Sequence, residues 1–202
     1  MYDSEPEELK SVEKISFVFG SIGKFILSFL ETVVVALVIS VVLYLFIMTP
    51  HEVVGNSMHP TYKNGEYLMA NKILYRFKKP DRGDVIIFKF SETQDFIKRI
   101  IGLPGDKVML KDGKIYINEK ILEESQYLSS SIYTNGGNYL KEGETITVPD
   151  GRYFVSGDNR PHSSDSREFG PIDVKNIKGK AWIVYYPFKQ FRLVKHETYL
   201  NM

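Results

Sequence analysis

The strongest hydrophobic pattern in the chain lies near its N-terminus. Residues 32–49 carry no charge, and the run continues back to Phe25 if Glu31 is included. It is apolar around the whole circumference of a helix, whereas a core helix usually shows an apolar stripe. At ~1.5 Å per residue, residues 25–49 reach roughly 37 Å, which exceeds the ~30 Å hydrocarbon core of a bilayer. We therefore predict a transmembrane helix over residues 25–49, ended by Pro50.

The charges around this segment indicate its orientation. Lys10, Lys14 and Lys24 precede it, whereas Lys63 is the one lysine or arginine within ~20 residues after it. This asymmetry predicts that residues 1–24 form a cytoplasmic tail and that the chain beyond the helix is extracytoplasmic. A cleaved secretory signal is disfavoured because the apolar run is too long and follows about 24 polar or mixed residues. The prediction is a single-pass protein of the cell membrane.

Beyond Pro50 the pattern changes to short runs of β-branched and aromatic residues separated by turn residues, which is typical of strands. Asp112-Gly113 is a signal for a two-residue hairpin. We therefore predict a mostly β domain over residues 50–202, an antiparallel, barrel-like sheet with a small excursion at about residues 107–148. The clearest predicted strands are Val85–Phe88, Phe96–Ile101, Lys114–Ile117, Tyr153–Val155 and Ala181–Tyr186.

Composition and charge exclude several functions. Lys and Arg number 26 and Asp and Glu 25, so the net charge of +1 provides no general attraction to nucleic acid. The chain has no cysteine, which removes disulfides, thiolate metal sites and a cysteine nucleophile. Function must therefore come from particular sites, and three segments carry residues that a plain β-domain does not require.

The first segment is Gly55-Asn-Ser-Met-His-Pro-Thr61. Gly55 permits unusual backbone angles and Pro60 stiffens the exit, so Ser57 could be presented on a fixed loop with its N–H directed at a reacting carbonyl. The same pattern is also typical of an ordinary turn. Taken alone, it identifies a candidate nucleophile and no more.

The second segment contains Lys98, in the predicted strand Phe96–Ile101. Strand alternation places Lys98 on the same face as Phe96 and Ile100, so its amine would be buried among apolar side chains if that face is buried. A lysine that acts as a base near neutral pH needs its pKa lowered from ~10.4 to about 7, which costs roughly 4.6 kcal/mol and is within the range that burial provides. The alternative is a lysine that protects an exposed sheet edge.

The third segment is Gly157-Asp-Asn-Arg-Pro-His-Ser-Ser-Asp-Ser-Arg167, which directly follows a hydrophobic strand. It combines carboxylates, guanidinium groups and hydroxyls. Charge-assisted pairs between them could hold a hydroxyl against a neutral lysine amine, which needs an orienting partner much as the histidine of a catalytic triad does. A solvated surface loop would have a similar composition.

Together, these segments resemble the motifs of bacterial type I signal peptidases, which remove signal peptides from exported proteins. Ser-Met-His-Pro-Thr at 57–61 is similar to the nucleophile motif, and Lys-Arg-Ile-Ile-Gly-Leu-Pro-Gly-Asp at 98–106 to the lysine motif. The resemblance implies Ser57 as nucleophile and Lys98 as general base. For the third segment it implies that Ser163 orients Lys98, with structural support from Gly157, Asp158, Asp165 and Arg167.

The resemblance also implies a substrate. Signal peptides of exported preproteins would bind as an extended strand, with small residues one and three positions before the cut in pockets lined by Val53, Met58 and Ile97. The Ser57 N–H would meet the oxyanion. Some relatives add a serine hydroxyl two residues before the nucleophile, where this chain has Gly55. The family uses no zinc or nucleotide cofactor, and the implied partners include the lipid bilayer and the protein translocation machinery.

Three other interpretations remain open from the residues. His59 or His162 could serve a Ser-His-Asp site, although relatives with a histidine base carry it at the position that matches Lys98. Self-cleaving transcriptional repressors use a Ser-Lys dyad on a related β-scaffold, but they carry a DNA-binding helix-turn-helix where this chain has its apolar segment. A non-enzymatic membrane-anchored β-domain that binds envelope partners would leave Ser57 and Lys98 without a catalytic role.

Overall fold

The computed structural model describes residues 7–44, 48–129, 131–197 and 199. The chain divides into two compact units, Met1–Leu45 and Phe46–Met202. The first unit contributes helix α1, Glu7–Val42. Within α1, Gly20–Val42 has a mean hydropathy of 2.6 and is long and apolar enough to cross a membrane.

The helix differs from the predicted segment at both ends. It begins at Glu7, so most of the predicted tail of residues 1–24 is helical, and it ends at Val42. Pro50 does not end the helix, because it lies inside the next element, strand β1 at Met48–Glu52. Strand β1 stands at the edge of its sheet, where a proline is tolerated because its missing N–H breaks no ladder hydrogen bond.

The second unit is mostly β, as predicted. Its main sheet has eight antiparallel strands in the order β1-β2-β11-β3-β4-β9-β10, with β12 beside β11. Two short α-helices, α2 at Leu74–Phe77 and α3 at Ser166–Phe169, interrupt the strands. The remaining main-sheet strands are β2 Tyr67–Asn71, β3 Val85–Lys89, β4 Asp95–Gly102, β9 Arg152–Ser156, β10 Ile172–Asp173, β11 Ile177–Tyr186 and β12 Arg192–Leu193.

The main sheet is buried on both faces at its centre. In β3, Val85 and Ile87 join one apolar cluster, whereas Ile86 and Phe88 join another on the opposite face. This explains why the strand is apolar at consecutive positions rather than at alternate ones. The neighbouring strand β4 pairs with β3 along its length, with Lys98 opposite Ile86.

A second, four-stranded sheet corresponds to the predicted excursion. Its order is β7-β6-β5-β8, and Asp112 and Gly113 form the turn of its β5–β6 hairpin with positive φ at both residues, as the sequence signal predicts. It packs closely on β4, because a Cβ added to Gly102 would come within 2.8 Å of Val108 Cγ2. Its strands are β5 Lys107–Lys111, β6 Lys114–Ile117, β7 Lys120–Ile121 and β8 Thr145–Thr147.

Candidate active site

Ser57 lies on the loop that joins β1 to β2. The two ends of this loop are tied together by the hydrogen bond from Val53 N–H to the Glu66 carbonyl, at 2.8 Å. Gly55 adopts φ +90°, a region that favours glycine, and its N–H donates to Asn64 Oδ1 at 2.7 Å. These two hydrogen bonds hold the loop on which Ser57 lies, and Ser57 itself is partly buried.

Lys98 reaches Ser57 from the middle of β4. Its Nζ lies 2.8 Å from Ser57 Oγ, within hydrogen-bonding distance. The side chain is only 3% exposed, and its Nζ lies 5.0 Å from the centre of the Phe96 ring. The alternation of β4 thus places Lys98 on a buried apolar face, and the alternative of an edge-protecting lysine is wrong.

Burial changes the protonation of this amine. Desolvation lowers the pKa of Lys98 to about 8, against smaller opposing effects of the Asp165 and Asp158 carboxylates, which raise it. Each of those carboxylates is also paired with an arginine, and Arg167 itself lowers the pKa of Lys98. The shift corresponds to roughly 3 kcal/mol in favour of the neutral amine. A lysine in this state can accept a proton near neutral pH.

Asp158 connects the third segment to the two catalytic candidates. It is fully buried and accepts two hydrogen bonds from Arg99, from Nε at 2.9 Å and from Nη2 at 2.7 Å. It also accepts from Thr61 Oγ1 at 2.6 Å. Because Arg99 follows Lys98 on β4 and Thr61 lies on the Ser57 loop, this one carboxylate fixes both elements relative to each other.

Asp165 and Arg167 form a second buried pair that shapes the third segment. Arg167 donates to Asp165 from Nε and from Nη2, both at 2.8 Å. Asp165 also accepts from the Gly157 N–H at 3.0 Å and caps helix α3 through the Arg167 N–H. The pair therefore holds the turn at Gly157 against the helix that follows it.

Gly157 permits a close approach between this turn and the Ser57 loop. A Cβ at this position would lie 2.4 Å from the Ser57 carbonyl oxygen and 2.2 Å from Ser163 Oγ, so no larger residue fits. Two hydrogen bonds complete the junction: the Asn159 N–H donates to the Ser57 carbonyl at 2.9 Å, and Asn159 Nδ2 donates to the Asn56 carbonyl at 3.0 Å. The position of Ser57 is thus set directly by the third segment.

A cleft of about 250 Å³ opens beside the Ser57 and Lys98 side chains. One wall comes from the end of β1 and the Ser57 loop, and the other from the first half of β4. The three predicted pocket residues, Val53, Met58 and Ile97, all line it. The other lining residues are Glu52, Val54, Asp95, Phe96 and Ser164.

Donors for an oxyanion are few at this cleft. The Ser57 N–H donates to no other described residue, so it is available to a substrate carbonyl. The Gly55 N–H is not available, because it is bonded to Asn64. Gly55 therefore supports the loop conformation and supplies no second oxyanion donor.

Comparison with known proteins decides the family. The family model described as "Signal peptidase, peptidase S26" matches residues 26–186, which includes all three motifs. The chain belongs to the signal peptidase family. Its members are serine proteases, so the interpretation as a non-enzymatic β-domain is excluded.

Two relatives illustrate the extent of the similarity. Signal peptidase IB of Staphylococcus aureus (strain COL) is 36% identical over 180 residues, covering 84% of this chain and 94% of its own length. Signal peptidase I V of Bacillus subtilis (strain 168) is 40% identical over 152 residues, covering 72% of this chain and 90% of its own. The apolar helix together with these relatives indicates a membrane-anchored enzyme.

A solved structure is also similar. The signal peptidase I of Enterococcus faecalis V583 is 36% identical, covers 51% of this chain and 97% of its own, and superposes with a TM-score of 0.41.

The structure differs from the sequence prediction at Ser163. Its hydroxyl is buried and makes no hydrogen bond to Lys98, so the predicted contact is not formed. The hydroxyl instead occupies the space beside Gly157 that a side chain there would fill. In this structure Lys98 is positioned by Ser57 and by the apolar packing around it.

Sequence reasoning also missed several site residues. Arg99, Thr61 and Asn159 all make hydrogen bonds that hold the site together, and Arg160 forms a buried ion pair with Glu124 from the excursion. Except for Glu124, these residues lie inside the three motifs, so the motif match could have identified them.

His59 and His162 are exposed. Among the described residues, no group of His, Asp and Glu side chains is placed to hold a metal ion.

Proposed function

We propose that this signal peptidase removes signal peptides from exported preproteins, with Ser57 as nucleophile and Lys98 as general base. The observation that carries the proposal is the 2.8 Å approach of Lys98 Nζ to Ser57 Oγ in a buried, apolar setting. A serine hydroxyl is a weak nucleophile until a neighbouring base takes its proton. The lowered pKa of Lys98, about 8, supports such a base.

In the first step, the neutral Lys98 amine accepts the Ser57 proton while Oγ forms a bond to the scissile carbonyl carbon. The oxyanion that develops receives a hydrogen bond from the Ser57 N–H. Collapse of the tetrahedral intermediate breaks the C–N bond, and the Lys98 ammonium returns its proton to the leaving amine. The products are the released mature chain and an ester between Ser57 and the signal peptide.

The second step hydrolyses this ester. Lys98, neutral again, takes a proton from a water molecule as the water oxygen bonds to the ester carbon. Collapse breaks the bond to Ser57 Oγ, and the proton passes from Lys98 to Oγ. The free serine and the free amine are restored, and the signal peptide leaves with a new carboxylate.

The cleft supports an extended substrate with small side chains near the cut. Its two walls are β-strand or strand-like segments, at β1 and at β4, so a peptide in the cleft can pair with backbone on either side. Val53, Met58 and Ile97 narrow the cleft with apolar side chains. We propose that they form the pockets for the residues one and three positions before the cut.

The membrane arrangement is part of the same proposal. The lysines before the apolar segment favour a cytoplasmic N-terminus, which places Ser57 and Lys98 on the outer side of the membrane. Exported preproteins reach that side during translocation. The bilayer and the translocation machinery are therefore the proposed partners.

Substrate selection provides a test. The full-length protein in detergent is expected to cut a peptide with an Ala-x-Ala end on the carboxyl side of the second alanine. Replacing that alanine with phenylalanine is expected to lower kcat/KM at least about a hundredfold, since the small pocket must exclude the ring. Mass spectrometry of the fragments gives the cleavage site, and a peptide with phenylalanine at the middle position is the control that should still be cut. Equal cleavage of all three peptides would contradict the assigned pockets.

A further inference from the structure

Four consecutive exposed residues lie at the end of helix α2 in the second unit: Arg76, Phe77, Lys78 and Lys79. We refer to them as the basic tip. Phe77 is 86% exposed, more than any other large apolar side chain described in this unit. An aromatic ring left in water beside three cations contributes nothing to the fold, which suggests that it serves an external surface.

The basic tip is held on a fixed support. Asn71 Oδ1 accepts hydrogen bonds from the Ile73 and Leu74 N–H groups at 3.0 Å, which starts the short helix. On the inner side of the helix, Tyr75 packs against the core and donates from its hydroxyl to Asp84 Oδ2 at 2.8 Å. Pro80, directly after the basic tip, is buried. The projection is therefore anchored at both ends.

The charge of this region is strongly positive. Residues 72–80 contain four basic residues and no acidic one. Lys78 lies 3.8 Å from Asp81, but both side chains are largely exposed and such pairs are weak. The chain as a whole has a net charge of only +1, so this local excess is a property of the segment. A partner of the basic tip must therefore carry negative charge and accommodate an aromatic ring.

The position of the basic tip indicates which partner that is. The last residue of β2, Asn71, pairs with Met48, the first residue of β1. Met48 follows Val42, the end of the apolar helix, by six residues along the chain. The basic tip therefore lies at the end of the main sheet where the chain enters the second unit.

We propose that the basic tip binds anionic lipid headgroups of the membrane in which the apolar helix is anchored. Arg76, Lys78 and Lys79 would contact the phosphates, and Phe77 would enter the interface between headgroups and acyl chains. Each cation near an anionic surface contributes enough to change the binding constant about fivefold. An acidic protein partner would satisfy the charge but does not account for the exposed ring.

Tryptophan fluorescence in nanodiscs tests this proposal on the full-length protein. The chain has one tryptophan, so Trp182→Phe gives a dark background in which Phe77→Trp is the reporter. Nanodiscs of phosphatidylcholine alone are compared with an equal mixture of phosphatidylcholine and phosphatidylglycerol, all with acyl chains brominated near the headgroup. Tyr133→Trp, at an exposed position of the segment between β7 and β8, is the matched control, and peptide cleavage verifies that each variant is folded.

The expected result is quenching of the residue 77 reporter in discs that contain phosphatidylglycerol and little quenching in phosphatidylcholine alone. Arg76→Gln, Lys78→Gln and Lys79→Gln together, or about 1 M salt, where the Debye length is ~3 Å, should remove it. The residue 133 reporter should stay unquenched. Equal quenching in both lipid compositions, or none in either, would overturn the proposal; the second outcome would point to a protein partner.

Discussion

Ser57→Ala and Lys98→Ala are each expected to reduce cleavage of a signal-peptide substrate by roughly 10⁴-fold or more. The first change removes the atom that bonds to the substrate, and the second removes the amine that lies 2.8 Å from it. Because the two groups act in one proton transfer, the double variant should be about as inactive as either single variant. Initial rates with an Ala-x-Ala peptide and detergent-solubilised full-length protein provide the measurement.

His59→Ala is the matched control for these variants. His59 is two residues from Ser57 in the same loop, but its side chain is exposed, so the change should leave kcat/KM within about twofold. Loss of activity in the histidine variant together with retention in Lys98→Ala would replace the lysine base with a histidine base. We do not expect that pattern, because Lys98 Nζ lies 2.8 Å from Ser57 Oγ and His59 is exposed.

Asp158→Ala is expected to destabilise the second unit by about 3–5 kcal/mol, because it leaves a buried guanidinium without its carboxylate. Arg99 is 1% exposed and would keep only its hydrogen bond to the Gly83 carbonyl. For a domain of this size the loss corresponds to a fall in Tm of roughly 6–20 °C, measurable by scanning calorimetry. Thr61 would also lose its partner, so activity should fall along with stability.

Two companion variants isolate the cause. Glu92→Ala breaks a pair of similar length, to Lys89 at 2.7 Å, but an exposed one, so its Tm should stay close to that of the wild-type protein. The double variant Asp158→Leu with Arg99→Met removes both buried charges and should recover much of the stability lost by Asp158→Ala. A Tm of Asp158→Ala within a degree or two of the wild-type value would contradict the role given to this pair.

The sequence predicted those features of the site that depend on local periodicity. Alternation along β4 placed Lys98 with Phe96 and Ile100, and the structure has all three against one apolar cluster because β4 is a regular strand in the middle of a sheet. The hairpin at Asp112-Gly113 followed from turn chemistry in the same way. The prediction that Ser57 and Lys98 act together came from the motif resemblance, because no local sequence pattern relates these two residues.

Features that depend on contacts between distant segments could not be predicted. The bond between Arg99 and Asp158 joins residues 59 positions apart, and its partners become neighbours only when β9 aligns beside β4. Pro50 was misread because its tolerance in β1 depends on the edge position of that strand, which only the sheet order reveals. Ser163 was assigned to Lys98 by resemblance, whereas its side chain turns toward the gap at Gly157.

The pH dependence of kcat/KM tests most directly whether Lys98 is neutral when it meets Ser57. The folded-state pKa is lowered from its usual value of 10.5 to about 8, so the amine is protonated and inactive well below pH 8 and becomes competent as the pH rises. With an uncharged substrate, kcat/KM should increase about tenfold per pH unit up to pH about 8 and then level off. A profile that is flat from pH 6 to about 9, or one that rises only near 10.5, would contradict the account.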